Sequence, residues 1–294
     1  MPSLNQLRSL CVQQTPRQLP IALLAGRGEL PRLLVEVFKS QKRPYVILAF
    51  KGQTDEEFVE GLPHMWLHFG EVGKAFKCFE EFHIKEIVMA GAMTRPSFRE
   101  IRPDWEGMKW LAKLGKRALG DDNLLKFLIE MIEERGYPVV GPTDILKELL
   151  TPEGLLTPAV PDEQAWQDIG RGIEVLTILS PADVGQAVVV QEGLVLGVEA
   201  IEGTDRLIER VHSLKRPGLG GVLVKVAKIQ QEQRADLPTV GIGTIKKAIK
   251  SELRGIALEA GRTLILNRED MLKLAQDKGI FVLGLASTQC HPSR

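Results

Sequence analysis

Residues 21–31 read Ile-Ala-Leu-Leu-Ala-Gly-Arg-Gly-Glu-Leu-Pro, and they decide the fold of the first part of the chain. The apolar run from Ile21 to Leu24 is typical of a buried strand, which ends at a turn containing Gly26 and Gly28. Pro31 then opens an apolar helical pattern, since proline is well tolerated in the first turn of a helix. The stretch therefore predicts a strand, a glycine turn and a helix in succession.

The same alternation continues along the chain. Apolar runs at Tyr45 to Phe50, Trp66 to Phe69 and Glu86 to Ala90 predict further strands, and helical patterns lie between them. Alternating strands and helices are typical of an α/β fold with a parallel sheet, in which ligands bind at the carboxyl ends of the strands. We therefore expect the loops that follow these strands to carry the chemistry.

These loops contain glycines and charged residues that suit an anionic ligand, because glycine amides and helix N-termini can approach a phosphate closely. Gly26 and Gly28 resemble half of the dinucleotide fingerprint, but Pro31 occupies the position of its third glycine, which disfavours an NAD site. A turn that binds diphosphate or uridine and a purely structural turn both remain open. The candidate substrate-binding residues of this region are Gly26, Gly28, Gly70, Glu71, Arg95, Gly120 and Asp121.

The chain has 294 residues, which exceeds the usual size of one compact domain, so we expect two. Residues 151–161 contain three prolines and no helical period, which predicts a linker over 151–162. The predicted organisation is an extension at 1–19, a parallel-sheet domain at 20–150 and a mixed α/β domain at 163–294. The last of these begins with a helix over Glu163 to Leu179, followed by an antiparallel pair of strands around Glu192 and Gly193.

Charge and cysteine content exclude several classes of protein. Lysine and arginine number 38 and aspartate and glutamate 38, so nothing provides the basic surface that duplex nucleic acid requires. The three cysteines, Cys11, Cys78 and Cys290, are widely spaced, which argues against a disulfide framework or zinc cluster and indicates a reducing compartment such as the cytoplasm. No apolar run reaches the roughly 18 residues of a membrane span, and the first 20 residues lack the apolar centre of a signal peptide.

Residues 231–244, Gln-Glu-Gln-Arg-Ala-Asp-Leu-Pro-Thr-Val-Gly-Ile-Gly-Thr, are the most informative for function. Asp236 lies between Arg234 and Thr239, so its carboxylate can hold a metal ion or a water molecule, and the glycine amides that follow suit a phosphate. An ordinary helix entry, with Thr244 as N-cap of a helix from Ile245 to Leu253, is the alternative.

A second polar loop follows a predicted strand and contains Glu199, Glu202 and Asp205. Three carboxylates this close repel one another unless a cation or basic groups lie among them. The alternative is an ordinary turn in which Thr204 caps the next helix. Together with the Asp236 loop, this loop predicts one shared site that faces the first domain across a cleft.

Five stretches, in this order, carry a resemblance to a known family. They are Leu-Ala-Gly-Arg-Gly-Glu-Leu-Pro at 24–31, Phe-Gly-Glu-Val-Gly-Lys at 69–74, Gly-Asp-Asp-Asn-Leu-Leu at 120–125, Gln-Glu-Gly-Leu-Val-Leu-Gly-Val-Glu-Ala-Ile-Glu-Gly-Thr-Asp at 191–205 and Arg-Ala-Asp-Leu-Pro-Thr-Val-Gly at 234–241. The chain closely resembles the LpxI family, UDP-2,3-diacylglucosamine pyrophosphatases of lipid A biosynthesis. The resemblance extends from about Ile21 to Leu285.

The resemblance implies a Rossmann-like amino-terminal domain and an α/β carboxyl-terminal catalytic domain, with the substrate held between them. It implies hydrolysis of UDP-2,3-diacylglucosamine to UMP and 2,3-diacylglucosamine 1-phosphate, with Mg²⁺ and with water attacking the phosphorus on the sugar side. The family's catalytic aspartate corresponds to Asp236. Where relatives can have three glycines in the first loop, this chain has Arg27 between two, which leaves the nucleotide contacts there open.

From this resemblance we expect Asp236 to ligate Mg²⁺ or to position the attacking water. Arg234 and Thr239 are the other catalytic candidates, and Thr204 is a further candidate for substrate binding. Glu199, Glu202 and Asp205 are expected as additional metal ligands, and Arg234 or Arg95 as a contact of the departing phosphate.

A diacylated substrate predicts transient contact with the cytoplasmic face of the inner membrane. A homodimer is compatible with the sequence. The alternative functions are a nucleotide-sugar binding protein without catalysis and, disfavoured by Pro31, an NAD(P)-dependent oxidoreductase.

Overall fold

The structure is a computed structural model that describes residues 19–94, 100–114, 121–228, 232 and 234–291. The chain divides into two compact units. The first contains the chain up to Lys113 together with Met131–Val140, and the second contains Leu114–Glu130 and Gly141–Arg294.

The first unit contains a parallel sheet of five strands in the order β3-β2-β1-β4-β5. This order, with the first strand in the centre, is that of a Rossmann-like doubly wound sheet, so the predicted α/β class is confirmed. The strands are β1 (Ile21–Ala25), β2 (Tyr45–Phe50), β3 (His64–Leu67), β4 (Glu86–Ala90) and β5 (Val139–Val140). The helices that follow these strands are α1 (Glu29–Ser40), α2 (Glu56–Val59), α3 (Val72–Glu81) and α4 (Trp105–Leu114). The next helix, α5 (Asp121–Glu133), is divided between the two units.

The second unit contains a mixed sheet of six strands in the order β6-β13-β11-β9-β7-β8 and a separate parallel pair, β10 and β12. β9, β11 and β13 are parallel to one another, and the outer strands are antiparallel to their neighbours. The strands are β6 (Gly154–Leu155), β7 (Ala187–Gln191), β8 (Leu194–Val198), β9 (Val222–Lys225), β10 (Thr239–Val240), β11 (Gly255–Glu259), β12 (Leu264–Ile265) and β13 (Phe281–Leu285). The predicted mixed α/β class is confirmed.

The helices of the second unit cover both faces of this sheet. They are α6 (Pro142–Ile145), α7 (Glu163–Leu179), α8 (Thr204–Val211), α9 (Ile242–Lys250), α10 (Arg268–Asp277) and α11 (Ser287–Cys290), with short 3₁₀ turns at Lys147–Leu149, Ser180–Ala182 and His212–Leu214. In β9, Val222 and Val224 pack on the α7 side, whereas Leu223 packs on the side of α8, α9 and α10. Since strand side chains alternate, Lys225 belongs on the same side as Leu223.

Residues 151–162, expected to be a linker, are bonded into the second unit. The Thr151 hydroxyl donates to the Thr263 carbonyl at 2.9 Å, and the Thr157 hydroxyl donates to the Ile280 carbonyl at 3.1 Å. β6 lies within this segment and forms the edge of the sheet beside β13. A two-residue edge strand needs no periodic pattern and tolerates nearby prolines, so local sequence does not reveal it.

The predicted start of the helix after Asp236 is wrong. The helix α9 begins at Ile242 after Gly241, and Thr244 lies inside its first turn, where its Oγ1 is 3.5 Å from the Gly241 backbone nitrogen. Glycine is an acceptable N-cap, and this shift places the beginning of the helix three residues nearer to Asp236.

Two glycines on α7 provide a matched test of its packing. A Cβ at Gly172 would lie 2.6 Å from Val224 Cγ2 in the core, whereas a Cβ at Gly170 would have no neighbour within 4 Å. We expect Gly172→Ala to lower the free energy of unfolding by about 1–3 kcal/mol through overpacking. Gly170→Ala should raise it by up to about 1 kcal/mol through helix propensity. Urea unfolding measures both, and equal effects of the two substitutions would contradict this packing.

Candidate active site

Lys225 is the centre of a polar site at the carboxyl end of β9. Its side chain is almost fully buried, with the residue 4% exposed, on the side of the sheet covered by α8 and α9. The ammonium group donates to the Thr204 hydroxyl at 2.8 Å and to the Thr239 carbonyl at 3.1 Å. Lys225 thereby joins two predicted site residues that come from different loops.

The charge of Lys225 is balanced by nearby carboxylates. Burial lowers the pKa of Lys225 below its ordinary value of 10.5, because the charged form is less well solvated there. The carboxylates of Glu199, Asp236 and Asp205 act in the opposite direction and favour the ammonium. Carboxylates from both predicted acidic loops therefore act on one cation. Glu202 and Asp205 are additionally paired with Arg210 and Lys247, so several basic groups relieve the repulsion expected among these carboxylates.

Glu199 holds Thr204 in place. The Glu199 carboxylate is buried; one oxygen accepts the Gln186 backbone N–H at 2.9 Å and the other accepts the Thr204 hydroxyl at 2.8 Å. The Thr204 oxygen is left to accept the N–H of Lys225. Lys225, Thr204 and Glu199 therefore form one chain of hydrogen bonds, in which Glu199 orients Thr204.

The N-termini of α8 and α9 both begin beside Lys225. α8 starts at Thr204 after Gly203, which has a φ of 81°, and α9 starts at Ile242, three residues after Thr239. The N-cap residues Gly203 and Gly241 have no side chain to accept a hydrogen bond, and in α9 the Gly241 N–H is 3.5 Å from Thr244 Oγ1. The N–H groups of a helix N-terminus and the helix dipole favour an anion, and the buried ammonium of Lys225 adds a full positive charge. This combination is suited to a phosphate group.

Asp236 lies in a turn that is held by Glu232. The Asp236 backbone N–H donates to the Glu232 carbonyl at 2.9 Å, and Asp236 itself is half-buried. Arg234 Nε donates to Glu232 Oε1 at 2.9 Å and Arg234 Nη2 to Glu232 Oε2 at 3.2 Å, and these bonds lower the pKa of Glu232. Arg234 therefore stabilises, through Glu232, the turn that carries Asp236.

Two of the four predicted metal ligands, Glu202 and Asp205, lie next to basic side chains. Glu202 accepts Arg210 at 2.7 Å and the Ala200 backbone N–H at 3.2 Å, on the outer side of the loop. Asp205 is exposed and lies 4.0 Å from Lys247. Across the described ranges, no three His, Cys, Asp or Glu residues are grouped so that they could hold a metal ion by themselves.

The first glycine loop lies where the sequence placed it, at the carboxyl ends of β1 and β4. A Cβ at Gly26 would lie 2.6 Å from the Ala92 carbonyl oxygen, so glycine is needed for this close approach. The backbones of Arg27 and Ala92 exchange two hydrogen bonds of 2.9 Å, and Gly28 precedes α1 with a φ of 103°. The adjoining strands β1 and β4 mark the point where the strand order reverses, which is the usual ligand site of such sheets.

The loop that contains Gly70 and Glu71, after β3, makes its contacts within the first unit. Gly70 has a φ of 94°, and a Cβ there would lie 2.9 Å from Pro103 Cα. The Glu71 carboxylate accepts the His68 backbone N–H at 2.8 Å and pairs with Lys74; burial tends to raise the pKa of Glu71, but these two partners outweigh it and lower the pKa. Arg95, Gly120 and the side chain of Asp121 lie outside the described part of the chain.

Comparison with known proteins defines the family. The model of the LpxI N-terminal domain matches residues 20–149, and that of the LpxI C-terminal domain matches residues 152–283. The chain belongs to the LpxI family. A relative named UDP-2,3-diacylglucosamine pyrophosphatase LpxI, from Caulobacter vibrioides, is 36% identical over 272 residues, which cover 90% of this chain and 97% of the relative.

A solved structure of a CobK precorrin-6A reductase has a weaker similarity to this LpxI-family chain. It is 11% identical, covers 92% of this chain and 88% of its own, and has a TM-score of 0.33. A similarity of this size supports no conclusion about fold or activity.

Two residues of the candidate site were missed in the sequence. Lys225 ends the apolar run Val222 to Val224, and Glu232 precedes the recognised motif. A lysine on the buried side of an alternating strand is rare unless it is paired, and this is the signal that identifies Lys225. Glu232 has no comparable signal, because its role depends on the fold of the turn.

Anion binding tests the role of Lys225 in this LpxI-family chain. We expect Lys225→Met to weaken the affinity for pyrophosphate about 10- to 100-fold, because a charged hydrogen bond of about 1.5–3 kcal/mol is lost. Lys246→Met, which removes an exposed lysine from α9, is the matched control and should bind as the unmodified protein does. Titration calorimetry measures the affinities. Equal affinity in the two variants would show that Lys225 binds no phosphate.

Proposed function

We propose that this LpxI-family chain hydrolyses the diphosphate of UDP-2,3-diacylglucosamine to UMP and 2,3-diacylglucosamine 1-phosphate (lipid X), a step of lipid A biosynthesis. The observation that carries the proposal is the group formed by Lys225, the N-termini of α8 and α9, and Asp236. Phosphate-binding groups next to a carboxylate suit the hydrolysis of a phosphoric anhydride. The name of the Caulobacter vibrioides relative supports this substrate.

The proposed reaction places the sugar-side phosphate of the substrate against Lys225 and the N–H groups of α8 and α9. Asp236 orients a water molecule and accepts its proton as the water oxygen attacks this phosphorus. The bond from the phosphorus to the bridging oxygen breaks, and UMP leaves with that oxygen. Lys225 and the helix N-termini stabilise the negative charge that develops on the phosphate oxygens, while Glu199 orients Thr204 and, through it, the Lys225 ammonium.

Magnesium is part of this proposal. Mg²⁺ usually binds one or two protein carboxylates and completes its shell with water and substrate phosphates, so the site need not contain three protein ligands. Asp236 would hold the ion together with the diphosphate, and Asp205, which also favours the Lys225 ammonium, would be a second acidic ligand. When bound, the ion neutralises charge on the phosphates and increases the acidity of coordinated water. Glu199 and Glu202 are already engaged by other groups.

The substrate also suggests where the protein acts. Two acyl chains keep UDP-2,3-diacylglucosamine in a membrane, so we propose transient contact with the cytoplasmic face of the inner membrane. Within the described residues, the structure contains no helix that is long and apolar enough to cross a bilayer.

Substitution of Asp236 tests the proposed reaction. With Mg²⁺ present, the unmodified protein should release UMP from UDP-2,3-diacylglucosamine, and excess EDTA should abolish this release. Asp236→Asn should lower kcat at least about 100-fold while the protein stays folded, because removal of a general base typically costs 10²- to 10⁴-fold.

Glu202→Gln is the matched control for this experiment. Glu202 is acidic and close in sequence to the site but is bonded to Arg210, so we expect kcat within about threefold of the unmodified value. Binding of the substrate without turnover by the unmodified protein would contradict hydrolysis and favour a nucleotide-sugar binding protein. A loss of activity in Glu202→Gln equal to that in Asp236→Asn would contradict the assigned site.

A further inference from the structure

A second buried polar cluster lies on the opposite side of the sheet from Lys225. Glu259 ends β11, is 0% exposed, and by strand alternation lies with Ala257 on the α7 side. Its Oε2 accepts the Ala227 backbone N–H at 3.0 Å. Its Oε1 is contacted by the Ser287 hydroxyl at 2.8 Å, His291 Nε2 at 3.1 Å and Arg262 Nη1 at 3.3 Å.

This cluster is hydrogen-bonded to residues 227 and 228, which directly follow β9. Arg262 also donates from Nη2 to the Lys228 carbonyl at 3.3 Å. The ammonium of Lys228 pairs with Asp183. Residues 227 and 228, which follow the strand that carries Lys225, are therefore fixed through both their backbone and a side chain.

The chain that returns from Asp236 is held by the same connection. Beyond Glu259 and Arg262, the Leu264 backbone N–H donates to the Pro238 carbonyl at 2.8 Å, and the Leu266 N–H donates to the Val240 carbonyl at 2.9 Å. These bonds form the parallel pair of β10 with β12. One short connection thus contacts the chain both before and after Asp236.

We propose that the connection between β11 and β12, residues 259–266, is a clamp that holds both ends of the Asp236 segment, residues 227–240, and that Glu259 is its positioning residue. Glu259 acts through the backbone of Ala227 and through Arg262, and it lies on the other side of the sheet from the phosphate-binding groups. A displacement of about 1 Å of a reacting group is enough to lower a rate about 100-fold. The kinetic part of this inference rests on the proposed hydrolysis.

Glu259→Gln tests the clamp. Glutamine has the same shape but leaves Arg262 without its buried negative partner. We expect kcat to fall on the order of 10- to 100-fold, as for a misplaced reacting group, with KM changed less than about threefold. Hydrogen exchange measured by mass spectrometry should increase in peptides from residues 227–240 and remain unchanged in β1 and β4. Arg262→Lys, which keeps the positive charge but cannot reach Lys228 in the same way, should show a smaller effect of the same kind.

Asp168→Asn is the matched control. Asp168 is 1% exposed and accepts the backbone N–H groups of Gly193 at 2.7 Å and Glu192 at 3.1 Å. It fastens the turn between β7 and β8, which lies at the end of the sheet opposite to Lys225, since Ala187 at the other end of β7 pairs with Lys225. This substitution should lower thermal stability and leave kcat and exchange in residues 227–240 unchanged.

Each possible result either supports or overturns the clamp. Normal kcat and normal exchange at residues 227–240 in a folded Glu259→Gln protein would overturn the clamp, as would equal effects of Glu259→Gln and Asp168→Asn. If Glu259→Gln does not fold, normal exchange and kcat in Arg262→Lys overturn the proposal. Increased exchange confined to residues 227–240, in a protein whose unmodified form has no hydrolase activity, would support the clamp and reject the proposed function.

Discussion

The burial of the Lys225 ammonium is the constraint on which the second unit depends. A buried charge is costly unless hydrogen bonds and opposite charges replace the water it has lost. The Thr204 hydroxyl and the Thr239 carbonyl supply the hydrogen bonds, and neighbouring carboxylates supply the charge. Because these partners come from two segments other than β9, satisfying one lysine fixes the relative positions of β9, α8 and β10.

The same requirement links stability to the proposed chemistry. In the proposed function, a buried ammonium and two helix N-termini are arranged for phosphate before a ligand arrives, so little reorganisation is needed when charge develops. The Asp236 segment must enter this site at a defined point. One end of the segment is held by Glu259 through the Ala227 backbone, and the other end is held by the pairing of β10 with β12.

Sequence patterns predicted the elements that depend on local signals. Apolar runs bounded by glycine turns gave β2 and β4 with their observed bounds, and α7 began and ended where its pattern indicated. β6 and β10 have two residues each and exist through pairing with distant strands, so no local period marks them. The N-terminus of α9 was placed three residues late, because a threonine is a stronger N-cap signal than Gly241.

The site followed the same division. Asp236, Thr204 and Glu199 became site candidates because they follow predicted apolar strands in loops that contain glycine and because the family motif marks Asp236. The central Lys225 was missed, since its burial results from the packing of α8 and α9 over β9 and not from its neighbours in sequence. In the sequence, Glu202 could not be distinguished from Glu199 and Asp205 as a candidate ligand. In the fold, its carboxylate is hydrogen-bonded to Arg210.

A crystal structure of the Asp236→Ala protein with UDP-2,3-diacylglucosamine bound would show directly whether Lys225 binds the diphosphate. We predict that a phosphate of the diphosphate lies within hydrogen-bond distance of Lys225 Nζ and of the backbone N–H groups at the start of α8 or α9, with the vacated carboxylate position beside it. A diphosphate bound away from Lys225 and from both helix N-termini would exclude this role of Lys225.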